Sequence, residues 1–265
     1  MQLNHMKKCV MDLCVKSAEV PRKDYVLLKL TPTQGTLPEM LPGQFVEVRV
    51  DQSPTTFLRR PISINFVDEE NQELWLLVHA VGDGTRAMSR LKEGDTLNCV
   101  LPLGNGFTVP EGEGERMLLV GGGVGTAPLL QLGKALKRQG HVPTFLLGGR
   151  SKTDLMQLDL FASYGEVYVT TEDGTMGETG FVTNHTVLDE KQFDHIATCG
   201  PKPMMMAVAR WADAHGVDCE VSLENLMACG LGACLCCVEK DGEGHNVCVC
   251  KEGPVFNIKK LSWLN

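Results

Sequence analysis

The tightest constraint on this chain lies near its C-terminal end. Cys229, Cys234, Cys236, Cys237, Cys248 and Cys250 place six of the eleven cysteines within twenty-two residues. Core packing does not concentrate thiols in this way, so the segment is built to bind something thiophilic. Cys229, Cys234 and Cys237 read C-x4-C-x2-C with a further cysteine beyond, the spacing of plant-type [2Fe–2S] sites. A binuclear cluster needs four thiolates on two irons, and a short loop carrying three of them must curl around the inorganic sulfurs with its amides inward. Gly230, Gly232 and Ala233 allow that approach. A structural zinc site is the alternative; its usual paired C-x2-4-C knuckles suit the glycine-rich four-residue gap less well. Disulfides are disfavoured by the odd cysteine total, by a start without a secretory signal, and by the scattered Cys9, Cys14, Cys99, Cys199 and Cys219. Cys248 and Cys250 both follow the polar turn Asp241-Gly242-Glu243-Gly244-His245, and spacing alone does not choose the fourth ligand.

A chain of 265 residues is long for one core. The expected division is a barrel domain over 1–110, an α/β domain over 111–222 and a small cysteine module over 223–265. The net charge of −8 argues against nucleic acid or an anionic membrane as partner, because either calls for a basic face. The longest apolar candidate, 117–130, is broken by four glycines and falls short of a membrane span. A cytoplasmic protein with small-molecule or protein partners is expected.

From 8 to 101, short apolar runs such as 25–30, 45–50 and 74–78 alternate with Pro, Gly and acidic punctuation, which predicts an antiparallel barrel or sandwich. Two sites interrupt it. Arg59-Arg60-Pro61-Ile62-Ser63 sets two guanidinium groups before a rigid extended step, suited to a pyrophosphate, with a solvated arginine pair as the plain alternative. His79-Ala80-Val81-Gly82-Asp83-Gly84-Thr85 leads from a strand into a helix expected over 85–91, whose first amides and Thr85 hydroxyl suit a phosphate; a capped turn is the alternative.

The acidic, glycine-rich stretch 110–115 reads as a linker. Beyond it, expected strands at 117–120, 142–147, 166–170 and 217–222, and another ending at Cys199, alternate with expected helices at 127–138, 154–164 and 203–215, which predicts a parallel α/β sheet. Its first turn, Gly121-Gly122-Gly123-Val124-Gly125-Thr126, lies between strand and helix, where a pyrophosphate can approach the helix N-terminus. Arg150 and Lys152 follow the next strand where an acidic ribose partner is usual, so chemistry leaves NAD and NADP open. Asp173-Gly174 and Cys199-Gly200-Pro201 end two further strands facing the same crevice, and Cys199 is expected to point into it; a buried structural cysteine is the alternative.

Arg60-Pro61-Ile62-Ser63, Gly84-Thr85, the glycine loop 121–128 and Cys199-Gly200-Pro201, in that order, resemble the ferredoxin-reductase family: a flavin-binding antiparallel barrel followed by a nicotinamide-binding α/β domain. The C-terminal Cys229-Gly230-Leu231-Gly232-Ala233-Cys234 and Cys250-Lys251-Glu252-Gly253-Pro254-Val255-Phe256 resemble, within it, the electron-transfer subunits of NAD-dependent, class 1B dihydroorotate dehydrogenases. The resemblance implies FAD along Arg60, Pro61, Ile62 and Ser63, lined by Leu77, Val78 and His79, with its pyrophosphate at Gly84 and Thr85. It implies NADH at Gly121, Gly122, Gly123, Gly125, Thr126, Asp173, Gly174, Gly200 and Pro201, with the nicotinamide near Cys199. It makes Cys229, Cys234, Cys237 and Cys250 the [2Fe–2S] ligands and Cys248 a bystander. The implied partner is an FMN-containing catalytic subunit that oxidises dihydroorotate to orotate, two copies of each chain forming a heterotetramer. Siblings with this architecture, the flavin subunits of sulfide dehydrogenase, ferredoxin:NADP oxidoreductase, hydrogenase or sulfite reductase, are the nearest alternative. A zinc-stabilised nucleotide-binding protein without redox function is the alternative of another class.

Overall fold

The computed structural model describes residues 8–264. The first half is a seven-stranded antiparallel sheet made of β1 (Cys9–Glu19), β2 (Tyr25–Pro32), β3 (Phe45–Val48), β4 (Arg60–Ser63), β5 (Phe66–Asp68), β6 (Glu73–His79) and β7 (Thr96–Leu103). Their order is β4-β3-β7-β1-β2-β6-β5. The chain passes from one edge to the other through Ile64 and Asn65 alone, whose amides donate to Gln44 O and Trp75 O, each at 3.0 Å. That two-residue corner carries the chain between the sheet's two edge strands and curls the sheet into a half-barrel.

The period-two pattern of β2 shows why both faces are apolar. Val26, Leu28 and Leu30 turn into the barrel core beside Leu13, Val46 and Leu76. Tyr25 and Leu27 turn outward, with Leu77, onto Ala127 and Met156 of the second half. Each such buried side chain contributes about 1.5–3 kcal/mol, so one strand stabilises both the barrel and its seam. After β6 comes α1 (Asp83–Met88), shorter than the helix expected over 85–91 and starting two residues earlier, after its N-cap Gly82.

The second sheet has the order β11-β10-β9-β8-β12-β13-β16. Its elements are β8 (Arg116–Gly122), α2 (Ala127–Arg138), β9 (Val142–Gly149), α3 (Leu158–Ala162), β10 (Glu166–Thr171), β11 (Glu178–Thr179), α4 (Val187–Glu190), β12 (His195–Cys199), α5 (Lys202–Ala214) and β13 (Asp218–Ser222). All these strands run parallel. The direction of strand succession reverses between β8 and β12, the place where open α/β sheets bind ligands. The helix expected over 154–164 is cut to a 3-10 turn and the short α3. Asp154 pairs with Arg22 of the barrel at 2.5 Å, and Gln157 takes a left-handed backbone, φ 59°, that interrupts the helix.

The remaining segment forms the hairpin β14 (Val238–Lys240) and β15 (Asn246–Cys248), then α6 (Val249–Glu252) and β16 (Val255–Asn257). β16 adds antiparallel to β13, so this segment is woven into the second sheet rather than appended to it. Asn105 of the barrel side anchors it as well, its amide donating to Gly253 O at 2.6 Å and its side chain to Glu252 O at 2.9 Å. Among the described residues no helix is long and apolar enough to cross a membrane.

Candidate functional site

Where the barrel, the second sheet and the C-terminal segment meet, they line a cleft of about 280 Å³ that opens to solvent. Pro61, Ile62 and Ser63 of β4, Leu77, Val78 and His79 of β6, and Thr85 of α1 line it. Seven of the nine residues expected at a flavin therefore stand on one surface, whose mixed apolar and polar lining suits a cofactor. Arg60 and Gly84 stand behind that surface: a Cβ on Gly84 would lie 3.0 Å from Arg60 Nε. The two arginines differ. Arg59 donates to Asn98 O at 2.8 Å and Glu47 O at 3.2 Å and so ties barrel strands together. Arg60 reaches only Leu58 O at 3.0 Å and its neighbour's carbonyl at 3.2 Å, leaving donors of its fork for a ligand.

Thr85 departs from expectation. Its hydroxyl accepts from Val81 N at 3.1 Å and Gly82 N at 3.0 Å and donates to Gly82 O at 3.2 Å, so it caps the helix rather than standing free. His79 stacks on Tyr25, ring centroids 4.2 Å apart, and burial holds its imidazole below the usual value. The cleft wall thus presents a neutral histidine.

On the facing side, Gly121 and Gly122 end β8, and Gly123 to Thr126 form one 3-10 turn before α2. Gly123 has φ +60° with open space about it, whereas a Cβ on Gly125 would fall 2.3 Å from Gly200 Cα. Gly125 is therefore required by backbone packing against the Cys199-Gly200-Pro201 turn, at the strand-order reversal. Thr126 donates to Gly123 O at 3.0 Å and is buried. Val124 and Ala127 reach the cleft.

Cys199 does not point into the cleft as the sequence suggested: it is fully buried beside Leu119, Leu129 and Ala197, and burial pushes its thiol well up. Glu224 and Asn225, from the turn after β13, line the cleft there. Glu224 is exposed by surface area, yet protein packs closely enough about its carboxyl that desolvation raises it. Asp173 and Gly174 stand two strands from the reversal, at the end of β10, outside this cleft. Asp173 accepts from Thr175 N at 3.0 Å, and its own amide donates to Arg150 O at 3.1 Å. Thr175 Oγ accepts from Lys152 N at 2.8 Å, so the acidic turn and the basic turn are stitched together.

The cysteine loop lies over β3 of the barrel. Gly230 (φ +65°), Gly232 (φ +81°) and Leu235 (φ 58°) take left-handed conformations that curl it. Its amides point at sulfur: Leu231 N and Ala233 N to Cys229 Sγ at 3.4 Å, Gly232 N to Cys250 Sγ at 3.1 Å, and Cys250 N to Cys237 Sγ at 3.3 Å. Such bonds, that from Leu231 first, bring the thiol of Cys229 down to about 6, with Cys234 alongside. Cys250 lies beside Cys237, and burial pushes its thiol up to about 12. Among the described residues no three His, Cys, Asp or Glu side chains converge on one point. The thiols stand instead as two pairs, Cys229 with Cys234 and Cys237 with Cys250, and a cluster needing four thiolates would be held between them. Cys236 is exposed, and Cys248 is buried with its backbone amide donating to Glu252 Oε1 at 2.8 Å.

Sequence reasoning missed Glu47. It is buried beneath the loop with neither carboxylate oxygen hydrogen-bonded, and a Cβ on Gly230 would lie 2.8 Å from its Cγ. Burial, opposed by Arg59, raises its carboxyl to about 7. A charged residue at alternate position in an apolar strand was the available signal.

Residues 224–262 match the model of the iron-sulfur cluster binding domain of dihydroorotate dehydrogenase B, and residues 119–210 that of an oxidoreductase NAD-binding domain. A dihydroorotate dehydrogenase B (NAD(+)) electron transfer subunit of Shouchella clausii (strain KSM-K16) is 39% identical over 254 residues, covering 93% of this chain and 95% of the relative. The subunit of the same description from Bacillus cereus (strain Q1) is 40% identical over 259 residues, 94% and 96% of the two chains. The chain belongs to the family of dihydroorotate dehydrogenase B electron transfer subunits. Membership makes it an oxidoreductase component that transfers electrons with FAD, NAD(H) and a [2Fe–2S] cluster as cofactors. Among solved structures, an NADH-dependent reduced ferredoxin-NADP oxidoreductase studied for flavin-based electron bifurcation superposes with a TM-score of 0.84 and 31% identity, over 95% of this chain and 90% of that one. The ferredoxin reductase of a carbazole 1,9a-dioxygenase (TM-score 0.67, 22% identity, 80% and 68% covered) shares the fold.

Proposed function

We propose that this chain carries electrons between NAD(H) and an FMN-containing dihydroorotate dehydrogenase catalytic subunit, in a cytoplasmic heterotetramer of two copies of each. The observation that carries the reading is Phe45. With Leu223 and Met227 it lines the cleft and belongs to the same buried cluster as Cys237 and Cys250, so one continuous apolar core runs from the cofactor cleft to the cysteine loop. Pro254, four residues beyond Cys250, lines the cleft too.

In this reading Pro61, Ile62, Ser63 and the β6 backbone hold the flavin ring, and Arg60 supports its phosphates, with Gly84 admitting the guanidinium. The glycine loop and Gly200-Pro201 receive the dinucleotide, and the linked turns at Arg150 and Asp173 receive its distal ribose. Cys229, Cys234, Cys237 and Cys250 would hold the [2Fe–2S] cluster, which supplies one-electron transfer. Flavin supplies the exchange between a two-electron hydride donor and one-electron carriers, while the protein aligns the groups and limits water. Cys234 is exposed and flanked by Leu231 and Leu235, 50% and 61% exposed. That apolar rim fits a protein partner drawing electrons from the loop.

The test is turnover by the isolated holo-chain. It should reduce artificial acceptors with NADH and leave dihydroorotate untouched until the catalytic subunit is added. Dihydroorotate oxidation by the chain alone would contradict the reading. The 31% identity to a ferredoxin-NADP oxidoreductase keeps one sibling function in view; co-purification with a chain other than an FMN-bearing dihydroorotate oxidase would favour it.

A further inference from the structure

One buried side chain ties the two walls of the cleft together. Asn65 occupies the corner between β4 and β5, two residues beyond Ser63, and has no exposed surface. Its backbone belongs to the barrel, donating to Trp75 O at 3.0 Å. Its side chain belongs to the other half. Nδ2 donates to Ala127 O at 3.1 Å and to Gln157 Oε1 at 3.2 Å, and Gln157 Nε2 donates back to Asn65 Oδ1 at 3.0 Å. Two carboxamides therefore face one another in a reciprocal pair across the seam.

Both ends of this link matter to the cleft. Ser63 and Ala127 line it, and Ala127 is the first residue of α2, directly after the glycine loop. The Gln157 backbone, φ 59° and ψ 24°, lies where a non-glycine residue stays only if its surroundings hold it. The apolar contacts of the same seam, Tyr25, Leu27 and Leu77 against Ala127 and Met156, tolerate sliding because dispersion and burial are not directional. A reciprocal amide pair does not: a shift of about 1 Å breaks both bonds and leaves the carboxamide of Asn65, which has no exposed surface, short of its partners. The next link outward is weaker in this respect, since Gln131 Oε1 accepts from Val67 N at 3.0 Å without a reciprocal bond.

We propose that Asn65 and Gln157 are positioning residues for hydride transfer: their amide pair fixes the glycine loop relative to the flavin wall, and with it the separation of nicotinamide and flavin. This rests on the reading that FAD fills the cleft and the dinucleotide lies over the glycine loop. In the step concerned, the C4–H bond of NADH breaks, the hydride with its electron pair passes to the flavin, and NAD+ is left.

The test is anaerobic stopped-flow on the full chain purified with its flavin and cluster. Gln157→Gly removes the carboxamide while suiting the left-handed backbone, so the fold is retained; Asn65→Asp keeps the shape and replaces the donor by an acceptor. Both should slow flavin reduction at saturating NADH about tenfold, and weaken the long-wavelength nicotinamide–flavin charge-transfer absorbance. Flavin content, iron content and the NADH concentration for half-saturation should stay near wild type, and the Tm of Gln157→Gly should fall only slightly, because relief of the left-handed backbone offsets part of the lost amide bonding. The exchanged pair, Asn65→Gln with Gln157→Asn, should recover most of the rate. Wild-type reduction and an intact charge-transfer band in Gln157→Gly would overturn the proposal, as would slow reduction accompanied by FAD loss. A wild-type chain that binds no FAD, or that NADH does not reduce, would overturn the functional reading and the proposal with it.

Discussion

The cysteine loop and the cofactor cleft are neighbours built on opposite plans. The loop is one stretch of twenty-two residues whose thiols are organised by amides of the same stretch, from Leu231 N and Ala233 N on Cys229 to Gly232 N on Cys250. The cleft is drawn from β4, β6, α1, the glycine loop and the turn after β13, segments more than 160 residues apart from Pro61 to Asn225. Local geometry thus makes the first site, and the meeting of two sheets makes the second. Damage to the loop should stay in the loop, whereas damage to the seam should reach the cleft.

The largest effect expected is the loss of the cluster. Cys250→Ser should leave the chain without stoichiometric [2Fe–2S] absorbance while it still binds FAD and is reduced by NADH; iron and flavin analysis of the same sample checks this. Loss of both cofactors together would break the contrast between local and assembled sites. Next comes the seam. Gly125→Ala puts a methyl group against the Gly200 backbone and should cost about 3 kcal/mol and slow reduction by NADH. Gly123→Ala meets open space and pays only for its positive φ, about 1 kcal/mol. Chemical denaturation of the two variants measures the difference, and equal costs would contradict the packing argument.

Glu47 lies between the two regions, and its carboxyl gives a pH test. Its value is raised from the usual 4.5 to about 7 in the folded chain, so the folded state binds the proton more tightly than the unfolded one. Stability from this group is fully present below about 4.5, falls as pH rises to about 7 and stays lower above. Glu47→Gln should therefore match wild type near about pH 4–5 and be more stable by about 2–3 kcal/mol near about pH 8. Denaturant midpoints at the two pH values decide it; a variant less stable at the higher pH would mean the carboxylate has an ion-pair partner. The smallest effect on the chain itself belongs to Leu235→Asp, which should leave NADH oxidation with artificial acceptors unchanged and weaken binding of the catalytic subunit about tenfold. Calorimetric titration with that subunit checks it.

Sequence and structure agree best where one local rule decides. The helix expected over 127–138 is present as Ala127–Arg138, because the glycine loop before it and Gln139-Gly140 after it punctuate strongly. The C-x4-C-x2-C spacing likewise needs only its own loop. What was hidden depends on tertiary contact. Nothing near Gln157 announces its left-handed backbone, which is held by Asn65 from ninety-two residues away. Cys199 lies on a strand buried on both faces, where alternation no longer tells cleft from core. Glu224 follows the last parallel strand in a turn with no pattern of its own, and it enters the cleft because β13 lies beside β12, one strand from the strand-order reversal. Val255-Phe256-Asn257 reads as a short apolar run, but only the exposed edge of β13 makes it a strand.

The most direct test of the central claim is an anaerobic reduction of the purified holo-chain by NADH, followed at once by optical and electron paramagnetic resonance spectroscopy. Flavin bleaching should be accompanied by the rhombic signal of a reduced [2Fe–2S] cluster, and the signal should vanish in Cys250→Ser while the bleaching remains. Flavin bleaching without any iron–sulfur signal in the wild-type chain, or zinc in place of iron in the loop, would contradict it.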